Sequence, residues 1–146
     1  MNERPVMRKY VPMLVWYRPF ETFAYAFIRF STGAVLLLHG AQKLFYGAST
    51  AELGEQLGRL PGSVVGVFEI IGGTALALGL FTRPIALLFA AEWLAVALSA
   101  HLKPGTSWFM FGATEHYPAF IVGLCLAIIA RGGGRYALDR FLAKEF

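Results

Sequence analysis

Four long apolar stretches divide the chain, and short polar, glycine-rich or proline-containing segments separate them. Their lengths approach the ~20 residues that an α-helix needs to cross a bilayer. None of them alternates apolar and polar side chains, as the strands of a transmembrane barrel do. The pattern therefore predicts an all-α protein, an integral membrane four-helix bundle. The expected spans are 22–41, 63–81, 85–100 and 117–130.

The segments outside these spans have different compositions. The first 21 residues are basic and contain prolines, and we expect them to lie at the membrane interface with Trp16 and Tyr17 at headgroup level. In the longest loop, a capping-box pattern beginning at Ser49 predicts a short amphipathic helix over 50–58. The expected division is therefore a basic interfacial leader (1–21), a transmembrane domain (22–131) and a cytoplasmic tail (132–146).

Composition and charge agree with a membrane location. The chain is 57% hydrophobic and 15% charged, whereas soluble domains are roughly 25% charged. A net charge of +4 would suggest nucleic acid for a soluble protein. Here the basic residues cluster near the termini, where membrane orientation and anionic lipid account for them. We therefore expect the lipid bilayer as a partner, and no nucleic acid.

The basic residues also predict the orientation. Nine Lys and Arg residues lie in the leader, in the turn between the second and third spans, and in the tail together with Arg131 just before it, whereas Lys43, Arg59 and Lys103 lie on the other side. By the positive-inside rule both termini are cytoplasmic. The chain is therefore expected to cross the membrane several times. The chain has one cysteine, Cys125, so we expect neither a disulfide nor a metal site of Cys and His ligands.

Ionisable residues inside the spans are the candidates for chemistry. A charge at the centre of a bilayer costs at least ~2.5–3.5 kcal/mol, so Arg29 must face the protein interior. Counting 1.5 Å per residue from the cytoplasmic side places Arg29 level with Glu92. We therefore expect an Arg29–Glu92 ion pair, whose simpler interpretation is structural.

A second group of ionisable residues lies nearer the outer face. Gly66, Glu69 and Gly73 are spaced three and four apart and share one face of the second span. His39 and Lys43 also share a face and are the expected partners of Glu69, with Arg29 as the alternative if its side chain reaches toward the outer face. Intramembrane ionisable residues are functional-site candidates by default. We expect Glu69 and His39 to be catalytic, as a proton relay. The expected ligand-binding residues are Arg29, Lys43, Glu92, His101 and Glu115.

Several motifs occur in a recognisable order. They are Arg29 followed by Gly33, HGAQKLF over 39–45, Glu69 with Gly72-Gly73, LGLFTR over 78–83, His101, Glu115, and GGGRYALD over 132–139. In these features the chain resembles the DoxX family of four-helix bacterial membrane proteins. The family includes DoxD-like subunits of thiosulfate:quinone oxidoreductase and members associated with thiol and oxidative-stress defence.

The resemblance implies a location in a bacterial inner (plasma) membrane. It also implies the membrane subunit of a quinone-linked oxidoreductase complex for sulfur or thiol chemistry. Quinone would be the cofactor, and the partners would be a redox protein or further copies of this chain. The lone Cys125 argues against dithiol chemistry by this chain alone. Two alternatives remain open: a non-enzymatic anchor or scaffold for a redox partner, and a small-solute carrier. Quinone that co-purifies would favour the first function, and a stoichiometric soluble partner would favour the scaffold.

Overall fold

A computed structural model describes residues 11–46, 62–101 and 113–142, with side chains over 19–45, 62–99 and 117–141. Within these ranges every regular element is helical, which confirms the all-α prediction. Two segments, Pro19–Phe45 and Thr82–Ser99, are long and apolar enough to cross a membrane. The helices are α1 (Val11–Tyr46), α2 (Gly62–Leu78), α3 (Thr82–His101) and α4 (Ala113–Arg131), followed by a 3-10 turn (Leu138–Leu142).

Helix α1 is longer than the first predicted span. It begins at Val11 and continues without a break through Pro19, so part of the expected leader belongs to the same helix. Pro12 lies in the first turn, where the missing N–H has no helical partner to lose. A proline inside a membrane helix is tolerated where neighbouring groups satisfy the freed carbonyl. The helix expected over 50–58 lies outside the described residues.

Helices α1 and α2 pack antiparallel through glycines. A Cβ atom on Gly33 would lie 2.5 Å from the carbonyl oxygen of Gly73, and one on Gly40 would lie 2.5 Å from that of Gly66. The two backbones therefore touch at two places seven residues apart. Small residues permit this close approach between membrane helices. The face of α2 that carries Gly66, Glu69 and Gly73 is buried, as predicted.

Helices α3 and α4 form the second pair, and the core lies where the two pairs meet. Phe89 fills the space beside Gly72 of α2. The outward faces of the helices are apolar, which suits lipid. The largest buried apolar core side chains are Leu36, Leu76, Phe89, Trp93, Ile121 and Ile128. Strongly exposed apolar side chains include Phe23, Phe27, Leu87, Phe120 and Leu126.

Glycines end two of the helices in left-handed conformations. Gly79 has φ of 76°, and the bonds from Gly79 N to Leu76 O (3.1 Å) and from Leu80 N to Ala75 O (2.8 Å) form a Schellman motif. Gly132 has φ of 74° and ends α4 with a bond to Ile128 O (2.7 Å). The chain then turns back across this end of the bundle.

Candidate functional site

An ion pair between α1 and α2 lies inside the bundle. Lys43 Nζ is 2.8 Å from Glu69 Oε1, and the Glu69 side chain is completely buried whereas that of Lys43 is 14% exposed. The glycine contacts explain the position, because a Cβ on Gly40 would lie 2.7 Å from Glu69 Cβ. The backbone of α1 thus covers the carboxylate and excludes water. The expected pairing of Glu69 with Lys43 is present.

Glu92 of α3 brings a second carboxyl group to the same place. The Glu69 and Glu92 side chains are close enough to hydrogen-bond when one of them carries a proton. Both oxygens of Glu92 and Oε2 of Glu69 are buried, and no described donor reaches them. We call Lys43, Glu69 and Glu92 the buried-charge cluster. Two carboxyl groups against one ammonium leave an excess negative charge unless a proton or cation is held there.

Three aromatic side chains, each on a different helix, lie next to this cluster. The ring of His39 lies 5.0 Å from that of Trp93 and 6.4 Å from that of Tyr117, centroid to centroid. Trp93 and Tyr117 meet edge to face at 5.5 Å. The indole N–H of Trp93 is buried without an acceptor among the described residues. We call His39, Trp93 and Tyr117 the aromatic wall. It joins α1, α3 and α4, as the buried-charge cluster joins α1, α2 and α3.

Arg29 is buried, as predicted, but it does not pair with Glu92 or Glu69. Its side chain is 3% exposed and donates to the carbonyl oxygens of Gly133, Tyr136 (3.1 Å) and Ala77 (3.4 Å). The expected Arg29–Glu92 pair is therefore wrong. Arg29 lies level with the last turn of α2 and hence near the start of α3, whereas Glu92 lies in the middle of α3, so the two side chains are at different depths.

Asp139 closes the same end of the bundle, a role that sequence reasoning missed. Its carboxylate accepts bonds from Phe81 N (2.6 Å), Thr82 N (3.0 Å) and Thr82 Oγ1 (2.8 Å). Its own N–H donates to Gly79 O (2.9 Å). An acidic cap at a helix N-terminus is stabilising. The two motifs that meet here, LGLFTR over 78–83 and GGGRYALD over 132–139, are both visible in the sequence, but their contact is not.

The remaining predicted site residues are placed only in part. His101 is the last residue of α3 and Glu115 lies in the first turn of α4, but both side chains are outside the described ones. Their ligand-binding roles stay predictions. The catalytic or ligand-binding roles of the other predicted site residues stay predictions as well. Among the described residues no group of three His, Cys, Asp or Glu side chains could hold a metal ion. The buried-charge cluster and the aromatic wall are therefore the candidate site.

Comparison with known proteins gives two matches. The DoxX family model matches residues 24–102, which include most of α1 and all of α2 and α3. A relative from Bacillus subtilis (strain 168), named "Putative oxidoreductase CatD", is 31% identical over 121 residues, covering 80% of this chain and 85% of the relative. No solved structure matches.

Proposed function

The chain belongs to the DoxX family of membrane proteins, and from that premise we propose that it is the membrane subunit of a quinone-linked oxidoreductase complex. It crosses a bacterial inner membrane several times, with both termini in the cytoplasm. The name of the Bacillus relative, an oxidoreductase, supports the reaction class. The quinone is reduced within the bundle, and the electrons come from a sulfur or thiol substrate through a partner redox protein.

The buried-charge cluster is the observation that carries this proposal. Reduction of a quinone to a quinol takes up two electrons and two protons, and the protons must reach the ligand through a region with little water. Glu69 and Glu92 present three buried oxygens without a donor in the described structure. A carboxyl pair next to a single ammonium holds a proton without excess charge and gives it up to a bound base.

The neighbouring side chains suit the other needs of a quinone. Lys43 and His39 lie one turn apart on α1 and hold the polar oxygens of the ligand. Trp93 and Tyr117 supply aromatic surfaces, which pack against flat rings in offset or edge-to-face arrangements. The orphaned indole N–H of Trp93 is a further donor for a ligand oxygen. In this assignment Glu69 transfers the proton and Glu92 holds the next one.

Glu69→Gln tests the proposal at nearly constant shape, since the amide oxygen still accepts a bond from Lys43. We expect quinol formation by membranes that retain the partner proteins to fall by ~10²-fold or more, the usual contribution of a general acid or base. Bound quinone, measured by mass spectrometry of the purified protein, should fall as well. The matched control is Glu21→Gln, because Glu21 is 58% exposed and pairs with Arg131 at 2.7 Å on the surface.

Full quinone binding and activity in Glu69→Gln would contradict the proposal. Glu69 would then serve only as the partner of Lys43 that joins α1 to α2. The anchor or scaffold function would become the first choice, and a stoichiometric soluble partner without quinone in the purified sample would support it.

A further inference from the structure

A cavity lies at the opposite end of the bundle from the buried-charge cluster. Its volume is about 90 Å³, and it lies between the start of α3 and the segment that follows α4. This is several times the space that one water molecule needs. Three arginines line it, Arg83, Arg131 and Arg140, together with one acidic residue, Asp139. The cavity is independent of the proposed redox site.

The charges around this cavity are unbalanced. Asp139 is already engaged by three donors from Phe81 and Thr82. Arg131 is paired with Glu21 and lies 4.7 Å from the ring of Tyr25. Neither Arg83 nor Arg140 has an acidic partner among the described residues. Two guanidinium groups at the cavity are thus available for an anion.

Gly132 leaves room for the Arg83 side chain at the cavity. A Cβ atom on Gly132 would lie 3.1 Å from Nε and 3.3 Å from a terminal nitrogen of Arg83. Because Gly132 has no side chain, the guanidinium of Arg83 lies directly against the turn that ends α4. A planar guanidinium presents paired donors that match the oxygens of a phosphate group.

We propose that this cavity binds a phosphate group, that of an anionic phospholipid headgroup in the favoured case. By the positive-inside rule this end of the bundle faces the cytoplasmic leaflet, where anionic lipids are found. Basic pockets on that side of membrane proteins are suited to lipid headgroups. Tyr136 and Phe141, which follow Gly132 in the same segment, are 62% and 85% exposed and suit the interface where acyl chains begin.

The test uses the full-length protein in detergent, with native mass spectrometry and thermal unfolding as readouts. Phosphatidylglycerol, phosphatidylcholine and inorganic phosphate are added separately. We expect phosphatidylglycerol to bind and to raise the unfolding temperature, and phosphatidylcholine to do neither. Arg83→Gln and Arg140→Gln should each weaken binding by about tenfold, the loss of one hydrogen bond to a charged group. Arg135→Gln, an exposed arginine of the same segment outside the cavity, is the matched control and should stay within about twofold.

The outcomes are distinct. If inorganic phosphate binds with the same dependence on Arg83 and Arg140 while phosphatidylglycerol does not, the cavity is a phosphate site and its ligand is a soluble phosphate compound, not a lipid. If Arg135→Gln weakens binding as much as the cavity variants, the attraction is a general surface charge and the proposal is overturned. Equal binding of phosphatidylcholine and phosphatidylglycerol would overturn it too. Arg140 is exposed and makes no helix cap, so Arg140→Gln gives an answer even where Arg83→Gln folds poorly.

Discussion

At the scale of single residues, Arg29 shows how a buried cation is held by carbonyl oxygens and makes no direct ion pair among the described residues. The last carbonyl oxygens of a helix have no helical donor and carry partial negative charge. Arg29 donates to one such oxygen, that of Ala77 in α2, and also to two backbone carbonyl oxygens of the segment after α4. A guanidinium has five donors in one plane, so one side chain joins three parts of the chain that are far apart in sequence.

Replacing Arg29 by alanine should therefore lower the free energy of unfolding by about 2–3 kcal/mol, because hydrogen bonds to a charged group are lost and buried carbonyls are left without a donor. Arg135→Ala is the matched control: Arg135 is exposed and makes no ion pair among the described residues, and substitutions at such surface positions usually change stability by about 0.5 kcal/mol or less. Denaturation of the two variants in the same detergent measures the difference. Equal losses would mean that the carbonyl network adds nothing to stability.

The two buried cations of α1 differ in how well they could be predicted. Lys43 could be assigned to Glu69 because both lie near one end of their spans and few other charges compete. The partners of Arg29 could not be found by comparing charges, since they are backbone carbonyls brought close by a turn about 100 residues later in the chain. For the same reason Glu92, which was expected to pair with Arg29, lies beside Glu69 instead.

At the scale of elements, the α1–α2 pair has a register that its glycines fix. Gly33 lies opposite Gly73 and Gly40 opposite Gly66, so both contacts are made at once. The spacing of seven residues on each helix is visible in the sequence, but only the structure shows that the two sets face each other. The same register brings Lys43 within 2.8 Å of Glu69. Helix packing and the candidate site are therefore coupled.

Gly40→Ala should separate the two helices, because its Cβ would lie 2.5 Å from Gly66 O. We expect a loss of about 1–3 kcal/mol, the usual cost of overpacking, together with weaker quinone retention as Lys43 moves from Glu69. Gly123→Ala is the control, since a Cβ there meets nothing within 4 Å and alanine favours the helix by up to ~1 kcal/mol. Thermal unfolding distinguishes them. A Gly40→Ala protein as stable as Gly123→Ala would show that the contact tolerates a methyl group.

At the scale of the whole molecule, the four α-helices of the described residues could be predicted because each contains a long apolar stretch, although α1 begins before its predicted span. The packing of the segment after α4 could not be predicted. Residues 132–142 are polar and glycine-rich, a composition that is typical of an unpacked C-terminal tail. Its Asp139 instead caps α3, and its carbonyls bind Arg29. Such contacts depend on tertiary structure and have no local periodicity. They also make one end of the bundle the more basic one.

That asymmetry leads to the prediction about topology. Arg83, Arg131 and Arg140 line one end of the bundle, while Lys43 lies toward the other and is neutralised by Glu69. By the positive-inside rule, we expect the arginine end to face the cytoplasm. A reporter that is active only in the cytoplasm should therefore be active when fused after Phe146 and inactive when inserted within 47–61. A reporter that is active only after export should give the opposite pattern at both sites. Export of the reporter at Phe146 would reverse the orientation, and the cavity that the arginines line would then face the leaflet opposite to the one proposed.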